Sequence, residues 1–319
     1  MRVLTWNLWW RNGPWQQRRH AIAATLADVR PDLCGMQEVW GSGGQNLAAD
    51  LAERLGMHWC WAVAHADRDG DGAVIGNAVL SRWPILGHAE TALPTEDPDE
   101  GRVALYAQID TPGGALPMFT THLTYRPGGS RARLPQIRRL AGFVAEHAAG
   151  CAYPPVVTGD LNAEPYSDEL RLLGGLLTAP VVPGLVLVDA WRYAEPADPG
   201  FTWDRRNGYQ ADSAIPYSRI EYILVGLPRN GRGRVQSTHL AGTAPVAGVW
   251  PRQTCRCARW AETLHTRSGL FRIAAENQPL DVLIPPLTAR SCRRECVRVC
   301  IGTGDGRSRR PRYYKVGGP

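Results

Sequence analysis

Hydrophobic and polar positions alternate between two periods along this chain. Arg2–Leu8, Leu33–Gln37, Trp59–Ala64, Gly76–Ser81, Leu105–Ile109, Met118–Thr121, Val156–Asp160 and Arg219–Val225 are short apolar or alternating runs, and they read as strands. Between them the apolar residues recur at helical spacing. Ile22, Leu26 and Val29 mark a helix over Trp15–Val29, with Arg18 and Arg19 expected on its wet side. Leu47, Leu51 and Leu55 mark a second helix, and Leu134, Ile137, Leu140 and Val144 mark a third over Arg131–His147. A short fourth is expected around Asp168–Leu177. Arg30-Pro31-Asp32 stops the first helix, Arg82-Trp83-Pro84-Ile85 is the exit of a strand, and Thr111-Pro112-Gly113-Gly114 is a hairpin signal. Strand–helix–strand order predicts a layered α/β fold. Pro180–Pro216 reads as loop.

The strands are unusual where they stop. Asn7, Glu38, His122 and Asp160 are polar residues delivered at the ends of apolar runs, and Asn162 follows Asp160 by two. If that strand continues, its period of 2 sends Asp160 and Asn162 to one side and turns Leu161 into the core. The competing reading is an Asx-rich turn closing a buried strand. Glu221 lies inside Ile220-Glu221-Tyr222-Ile223, so a buried carboxylate is expected, and such a group is costly unless paired or bound to a cation. Glu and Asn oxygens, without Cys and with few His, suit Mg²⁺ or Mn²⁺ better than Zn²⁺. An Asp beside such a site can take a proton from water while an Asn holds an oxygen that gains charge. Two other motifs carry less. Gly41-Ser42-Gly43-Gly44 lacks the Gly-Lys-Ser/Thr ending of a P-loop. Asp67–Gly72 imitates a calcium loop but has Ala78 where a bidentate Glu is required.

Charge changes the picture only when it is divided. The chain of 319 residues carries a formal net charge of +6, yet residues 1–251 hold 22 Arg against 25 acidic residues. Residues 252–319 hold 13 Arg and 1 Lys against 5 acids, together with five of the eight cysteines. The main region is mildly acidic, which argues against broad, phosphate-driven DNA binding. Cys34, Cys60 and Cys151 read as buried free thiols of a reduced compartment. No signal segment precedes the first strand and no run is long enough to span a membrane, so a cytoplasmic protein is expected.

Seven segments then fall into one order. Thr5-Trp6-Asn7-Leu8, Gln37-Glu38-Val39, Gly76-Asn77-Ala78-Val79-Leu80-Ser81-Arg82, Gly101-Arg102, Thr121-His122-Leu123, Thr158-Gly159-Asp160-Leu161-Asn162 and Ser218-Arg219-Ile220-Glu221-Tyr222-Ile223 together resemble the endonuclease/exonuclease/phosphatase superfamily over about residues 1–250. The resemblance implies a four-layer α/β sandwich of two mixed β-sheets flanked by helices, as in deoxyribonuclease I-like folds. It implies divalent-metal hydrolysis of phosphoester bonds by a phosphodiesterase, nuclease or phosphatase. By position, Glu38 would be the principal ligand of Mg²⁺ (or Mn²⁺), with Asn7 beside it. Asp160 would activate water, Asn162 would stabilise the phosphorane-like state, and His122 would contact the phosphate or protonate the leaving group. Glu221 stands where the family usually has the Asp that orients a final histidine. The expected partner is a phosphoester substrate, nucleic acid or a small soluble molecule, bound by a monomer. The loops Glu90–Glu100 and Ala190–Tyr217 are expected to shape specificity, with Trp203, Tyr209 and Tyr217 either stacking on a ligand or packing the loop.

The resemblance breaks at Val249-Trp250-Pro251, where the family's Ser-Asp-His is due and Arg252-Gln253-Thr254-Cys255 follows instead. Residues 1–251 are therefore taken as the catalytic domain. Residues 252–319 are taken as an Arg/Cys-rich tail, expected to be disordered and out of frame, which sequencing the coding DNA across codons 245–260 would decide. A zinc appendage built on Cys255, Cys257, Cys292, Cys296 and Cys300 is the competing reading, against which the spacings argue. Loss of the Asp-His pair keeps a second function in view, a non-catalytic phosphate-ligand-binding protein that retains the fold.

Overall fold

The computed structural model describes residues 1–66, 72–97, 99–251, 255–260, 272–275 and 278–281. The first unit, Met1–Leu264, is built from two β-sheets. Its chain begins with a strand–helix–strand unit: β1 (Arg2–Asn7), α1 (Trp15–Val29) and β2 (Leu33–Ser42), with β1 and β2 parallel. A two-residue strand β3 (Gln45–Asn46) turns back on β2. Then come α2 (Leu47–Leu55), β4 (His58–Ala66) and β5 (Val74–Ser81). The Asn46 carboxamide oxygen caps α2 by accepting from the Ala48 and Ala49 N–H groups, and Gly56 closes the helix at φ 63°.

The second half repeats the scheme. A meander of β6 (Ile85–Ala92), β7 (Val103–Thr111) and β8 (Gly114–His122) leads through α3 (Ser130–His147) to β9 (Val156–Asp160), which is parallel to β8. The chain continues through α4 (Asp168–Gly174), β10 (Leu187–Asp189), a 3₁₀ turn over Ala190–Tyr193, β11 (Glu221–Gly226) and β12 (Val235–Ala241). One sheet has the order β12-β13-β1-β2-β5-β4, where β13 is Cys255–Trp260, and the other has the order β10-β11-β9-β8-β7-β6. Each sheet thus has one parallel pair near its middle, joined by a helix. A parallel pair ends at one edge, which is what gathers the strand-end side chains.

Three apolar clusters fill the layers. Val3, Leu33, Val79, Leu105, Met118 and Val156 pack between the sheets. Leu4, Trp6, Ile22, Leu26 and Leu51 fill the space under α1 and α2. Phe119, Ile137, Leu140, Val157 and Tyr222 do the same under α3 and α4. This is the four-layer α/β sandwich that the resemblance implied. The sheets approach closely at Gly35, where an added Cβ would lie 1.9 Å from Thr158 Oγ1, so only glycine fits that site on β2.

Several expectations change. Residues 255–260, expected to be disordered, form β13, which pairs with β1 on one side and β12 on the other. Cys257 and Ala258 are fully buried there, so a pair of small apolar side chains suffices to seat the strand despite its arginines. Of the second unit, His265–Pro319, residues 272–275 (β14) and 278–281 (β15) form an antiparallel hairpin. Cys292, Cys296 and Cys300 lie outside the described residues, as does Asp67–Asp71 of the calcium-like turn. The segment after Trp83, expected to leave the sheet, is the eight-residue β6, so Glu90 belongs to a strand rather than a loop. Its alternation in burial is carried by small and polar residues, which hides it in sequence.

Candidate active site

Asn7 ends β1, His122 ends β8, Asp160 ends β9 and Glu221 begins β11. In the second sheet, Asp160 is the register partner of His122 on one side and of Glu221 on the other. The three form a row across β8, β9 and β11, and the first sheet brings Asn7 and Glu38 against it. Asn7 Nδ2 donates to both Glu38 Oε1 (2.8 Å) and Asp160 Oδ2 (2.9 Å), so one carboxamide bridges two carboxylates on different sheets. His122 lies between the same groups, with Nδ1 3.9 Å from Glu38 Oε1 and Nε2 3.8 Å from Asp160 Oδ2. Asn7, Asp160 and Glu221 are buried, while Glu38 stays partly open to solvent.

Glu38 reaches this place by a route the sequence does not announce. It was expected at a strand end but stands inside β2, at a bulge where the pairing with β5 jumps between Met36 and Val39. Its φ of 52° is left-handed, a strained setting for a non-glycine residue, and bulges re-aim side chains in this way. Asn162 does not continue β9 either. Its φ is 48°, its N–H donates to Asp160 Oδ1 (3.1 Å), and its Nδ2 donates to Leu123 O (3.0 Å). The Asx turn therefore prevails over the continued strand, although Leu161 is buried as expected. In this arrangement Asn162 steadies Asp160 through its backbone, and its carboxamide is turned to Leu123. Glu221 is the first residue of β11 rather than an interior one. Thr202 Oγ1 pins that strand start by accepting from the Ile220 (3.0 Å) and Glu221 (3.3 Å) N–H groups.

A polar layer lies directly beneath. Gln37, next to Glu38, donates from Nε2 to Thr120 Oγ1 (2.8 Å) on the other sheet and to Thr5 Oγ1 (3.3 Å). Asn77 on β5 donates to Val103 O (2.9 Å) on β7. Both bonds cross between the sheets and fix their separation one layer below the carboxylates. Gln37 was not singled out by sequence reasoning, although its position beside Glu38 in a buried strand was the available signal.

The surrounding loops are organised by two buried arginines. Arg18, expected on the wet side of α1, is fully buried, because the four-residue spacing of Arg18, Ile22 and Leu26 places it on the helix's core stripe. Arg133 on α3 donates from Nε to Glu169 Oε1 (2.8 Å) and from Nη1 to the carbonyls of Thr124 and Arg126 (3.2 Å each), holding the loop that follows His122. Beside that loop lies a groove of about 340 Å³ whose lining includes Glu96, Asp97, Glu100 and Arg126. Its Asp97–Arg126 ion pair spans 2.5 Å, and Glu100 is held by Arg102 at 2.6 Å. Of the aromatic residues expected over the site, Tyr209 packs on Trp9 (centroids 5.2 Å apart) and Tyr217 on Phe201 (5.6 Å).

Two anionic oxygens, a carboxamide and an imidazole converge here on a partly open mouth. Among the described residues, no group of three or more His, Cys, Asp or Glu side chains is placed to hold a metal ion. The set is open and oxygen-rich, and Mg²⁺ is bound in that manner, through one or two carboxylates with its waters largely kept.

Known proteins agree with this architecture. The chain is 26% identical over 262 residues to the bifunctional enzyme NodQ of Azospirillum brasilense, covering 74% of this chain and 42% of that protein. It is 27% identical over 216 residues to a putative neutral sphingomyelinase of Caenorhabditis elegans, covering 60% and 46% respectively. The chain thus spans less than half the length of these curated relatives. The solved endonuclease/exonuclease/phosphatase of Beutenbergia cavernae superposes with a TM-score of 0.60 at 23% identity, covering 82% of this chain and 71% of that one. The model of the Endonuclease/Exonuclease/phosphatase family matches residues 4–242, three quarters of the chain and a span that holds Asn7, Glu38, His122, Asp160, Asn162 and Glu221: this chain belongs to the endonuclease/exonuclease/phosphatase family.

Proposed function

We propose that this chain is a divalent-metal-dependent hydrolase of phosphoester bonds, acting at the site formed by Asn7, Glu38, His122, Asp160 and Asn162. The observation that carries the reading is the single Asn7 carboxamide bridging Glu38 and Asp160 at 2.8 and 2.9 Å, with His122 within 4 Å of both. Bringing two carboxylates onto one neutral donor costs desolvation, and such costly groupings of ionisable side chains concentrate at functional sites.

Glu38 would hold Mg²⁺ (or Mn²⁺), which when bound polarises the phosphoryl oxygen and neutralises its charge; Asn7, expected beside it as a ligand, faces the carboxylates with Nδ2 and would orient them rather than bind the metal. The remaining work falls to the chain. Asp160, steadied by Asn7 Nδ2 and by the Asn162 N–H, orients the attacking water and takes its proton. His122 faces the same space and contacts the phosphate or supplies a proton to the leaving oxygen. Glu221 is the register partner of Asp160 on β11. The segment where the family's Asp-His pair is due reads Val249-Trp250-Pro251, followed beyond residues 252–254 by β13. A missing acid/base group lowers the rate by about 10²–10⁴, so turnover is expected to be slow. A phosphoester of a nucleic acid or of a small soluble molecule is the substrate class, and no described helix is long and apolar enough to cross a membrane.

The test is hydrolysis of bis(p-nitrophenyl) phosphate with and without Mg²⁺. Turnover should require the metal and should fall by at least about 10² in Asp160→Ala and in Glu38→Ala. Turnover unchanged in both variants would sink the proposal. Phosphate binding without any turnover would favour the non-catalytic binder.

A further inference from the structure

We propose that Arg18 is a positioning residue for the active site, setting the Asn7 carboxamide through the loop at residues 8–12. The inference rests on the reading of Asn7 as part of the hydrolytic site. Arg18 projects from the first turn of α1 back beneath that loop and is fully buried. Its Nη1 donates to Leu8 O (2.8 Å), its Nη2 to Trp10 O (3.0 Å), Asn12 O (2.9 Å) and Trp9 O (3.2 Å), and its Nε to Asn12 O (3.2 Å). The guanidinium also lies against the Trp9 indole, 5.1 Å from the ring centroid. A planar fork of five N–H groups can satisfy carbonyls at several positions at once. A lysine ammonium, with three donors on one atom, cannot.

The loop needs such an anchor. Trp9 and Trp10 are consecutive left-handed residues, at φ 61° and 43°, a conformation that costs any side chain beyond glycine. The carbonyl of Leu8, which Arg18 holds, and the Trp9 N–H belong to one peptide plane, so fixing the first aims the second at Asn7 Oδ1, 2.9 Å away. With its oxygen engaged there, the carboxamide must present Nδ2 to Glu38 and Asp160, which is the orientation the site requires. A continuous set of bonds therefore runs from Arg18 through the Trp9 backbone to both carboxylates. The same guanidinium reaches outward as well. Its Nη1 lies 3.4 Å from Pro251 O, just before β13, and Trp9 packs on Tyr209 of the loop over the site. Three segments distant in sequence are thus registered on one side chain.

The test reads Asn7 directly, without turnover. In ¹⁵N-labelled protein, the Asn7 side-chain amide signals are identified by their loss in Asn7→Ser, and their exchange with water is measured. In Arg18→Lys those signals should shift and exchange faster, whereas Arg133→Lys, which disturbs the loop after His122, should leave them in place. Where wild-type turnover is measurable, kcat in Arg18→Lys should fall about 10–100-fold with KM much less affected, as for other groups that orient ligands. Adding Trp9→Gly to Arg18→Lys should recover part of the wild-type Asn7 signal, since glycine takes a positive φ without strain. A folded Arg18→Lys protein with unchanged Asn7 signals would overturn the proposal, as would the absence of any recovery with glycine. Should Arg18→Lys fail to fold, the wild-type protein decides. Protection of the Trp9 N–H equal to that of the β1 amides supports the anchor, and exchange at open-loop rates refutes it. An inactive wild type would count against the hydrolase reading alone.

Discussion

Arg18 and Arg133 solve one problem in two ways. Each stands on the helix that follows a site-bearing strand, and each folds back to hold the loop leaving that strand, after Asn7 in one case and after His122 in the other. Arg133 is balanced by a carboxylate, Glu169, which also accepts from Ser130 Oγ at 2.7 Å. The acceptors seen on Arg18 are backbone carbonyls and an indole face. The difference is physical. A carboxylate supplies a full opposing charge from one flexible side chain, but it titrates. Carbonyl dipoles do not titrate, yet several must be aimed together, so the loop must take a particular and strained path. The Arg133 anchor is tolerant of shape and sensitive to acid, whereas the carbonyls around Arg18 demand one path of the loop.

The sharpest way to break this contrast is to delete one charge of the ion pair. Arg133→Met leaves Glu169 buried without its cation and should cost about 3–5 kcal/mol in urea unfolding. A loss below about 1 kcal/mol would mean that the pair does not anchor the helix at all. A smaller effect separates the two anchors by pH. Burial pushes the Glu169 carboxyl up, but the Ser130 hydroxyl, its own backbone N–H and the Arg133 guanidinium outweigh this and hold it below its ordinary value. A lowered carboxyl contributes stability above its unfolded pKa and loses it as pH falls through the folded one. The stability gap between wild type and Glu169→Gln should therefore narrow below about pH 4.3. The gap between wild type and Arg18→Lys over the same range measures how far a titrating group also serves Arg18. The smallest effect concerns the Trp9–Tyr209 contact. Tyr209→Ala should cost about 0.5–1.5 kcal/mol in thermal unfolding, well under the loss from either arginine, and an equal loss would move the anchor from Arg18 to the ring pair.

What could be read in advance follows the same division between local and cooperative causes. Asn7, His122 and Asp160 were legible because a parallel strand ends where its apolar run ends, and their motifs lie within single segments. The bulge at Glu38 was not, because it arises from how β2 meets β5, and nothing in Met36-Gln37-Glu38-Val39 records the partner's register. Asn162 stayed open between two local options, strand and Asx turn, because its own sequence leaves them nearly balanced. Arg18 was misplaced by its charge, although its spacing to Ile22 and Leu26 pointed inward; periodicity was the better guide than polarity. Composition was a poor guide to residues 255–260. Cys257 and Ala258 bury well in a strand whatever their arginine neighbours, so six residues of a segment expected to be disordered complete a sheet. The substrate is not legible in either record, since the loops that would select it are anchored to the frame rather than dictated by it.

The placement of β13 beside β1 carries a consequence for how the protein is made. Arg2 is in register with Arg259, so β1 waits for the synthesis of the last described strand of its unit before both of its edges are filled. At about 5–20 residues per second this delay is on the order of tens of seconds. During synthesis the strand bearing Asn7 keeps one open edge, and pairing of such high sequence separation forms slowly. The site is therefore completed after translation of the unit rather than along with it, and the nascent chain passes through a state in which an apolar strand edge is available to any neighbour.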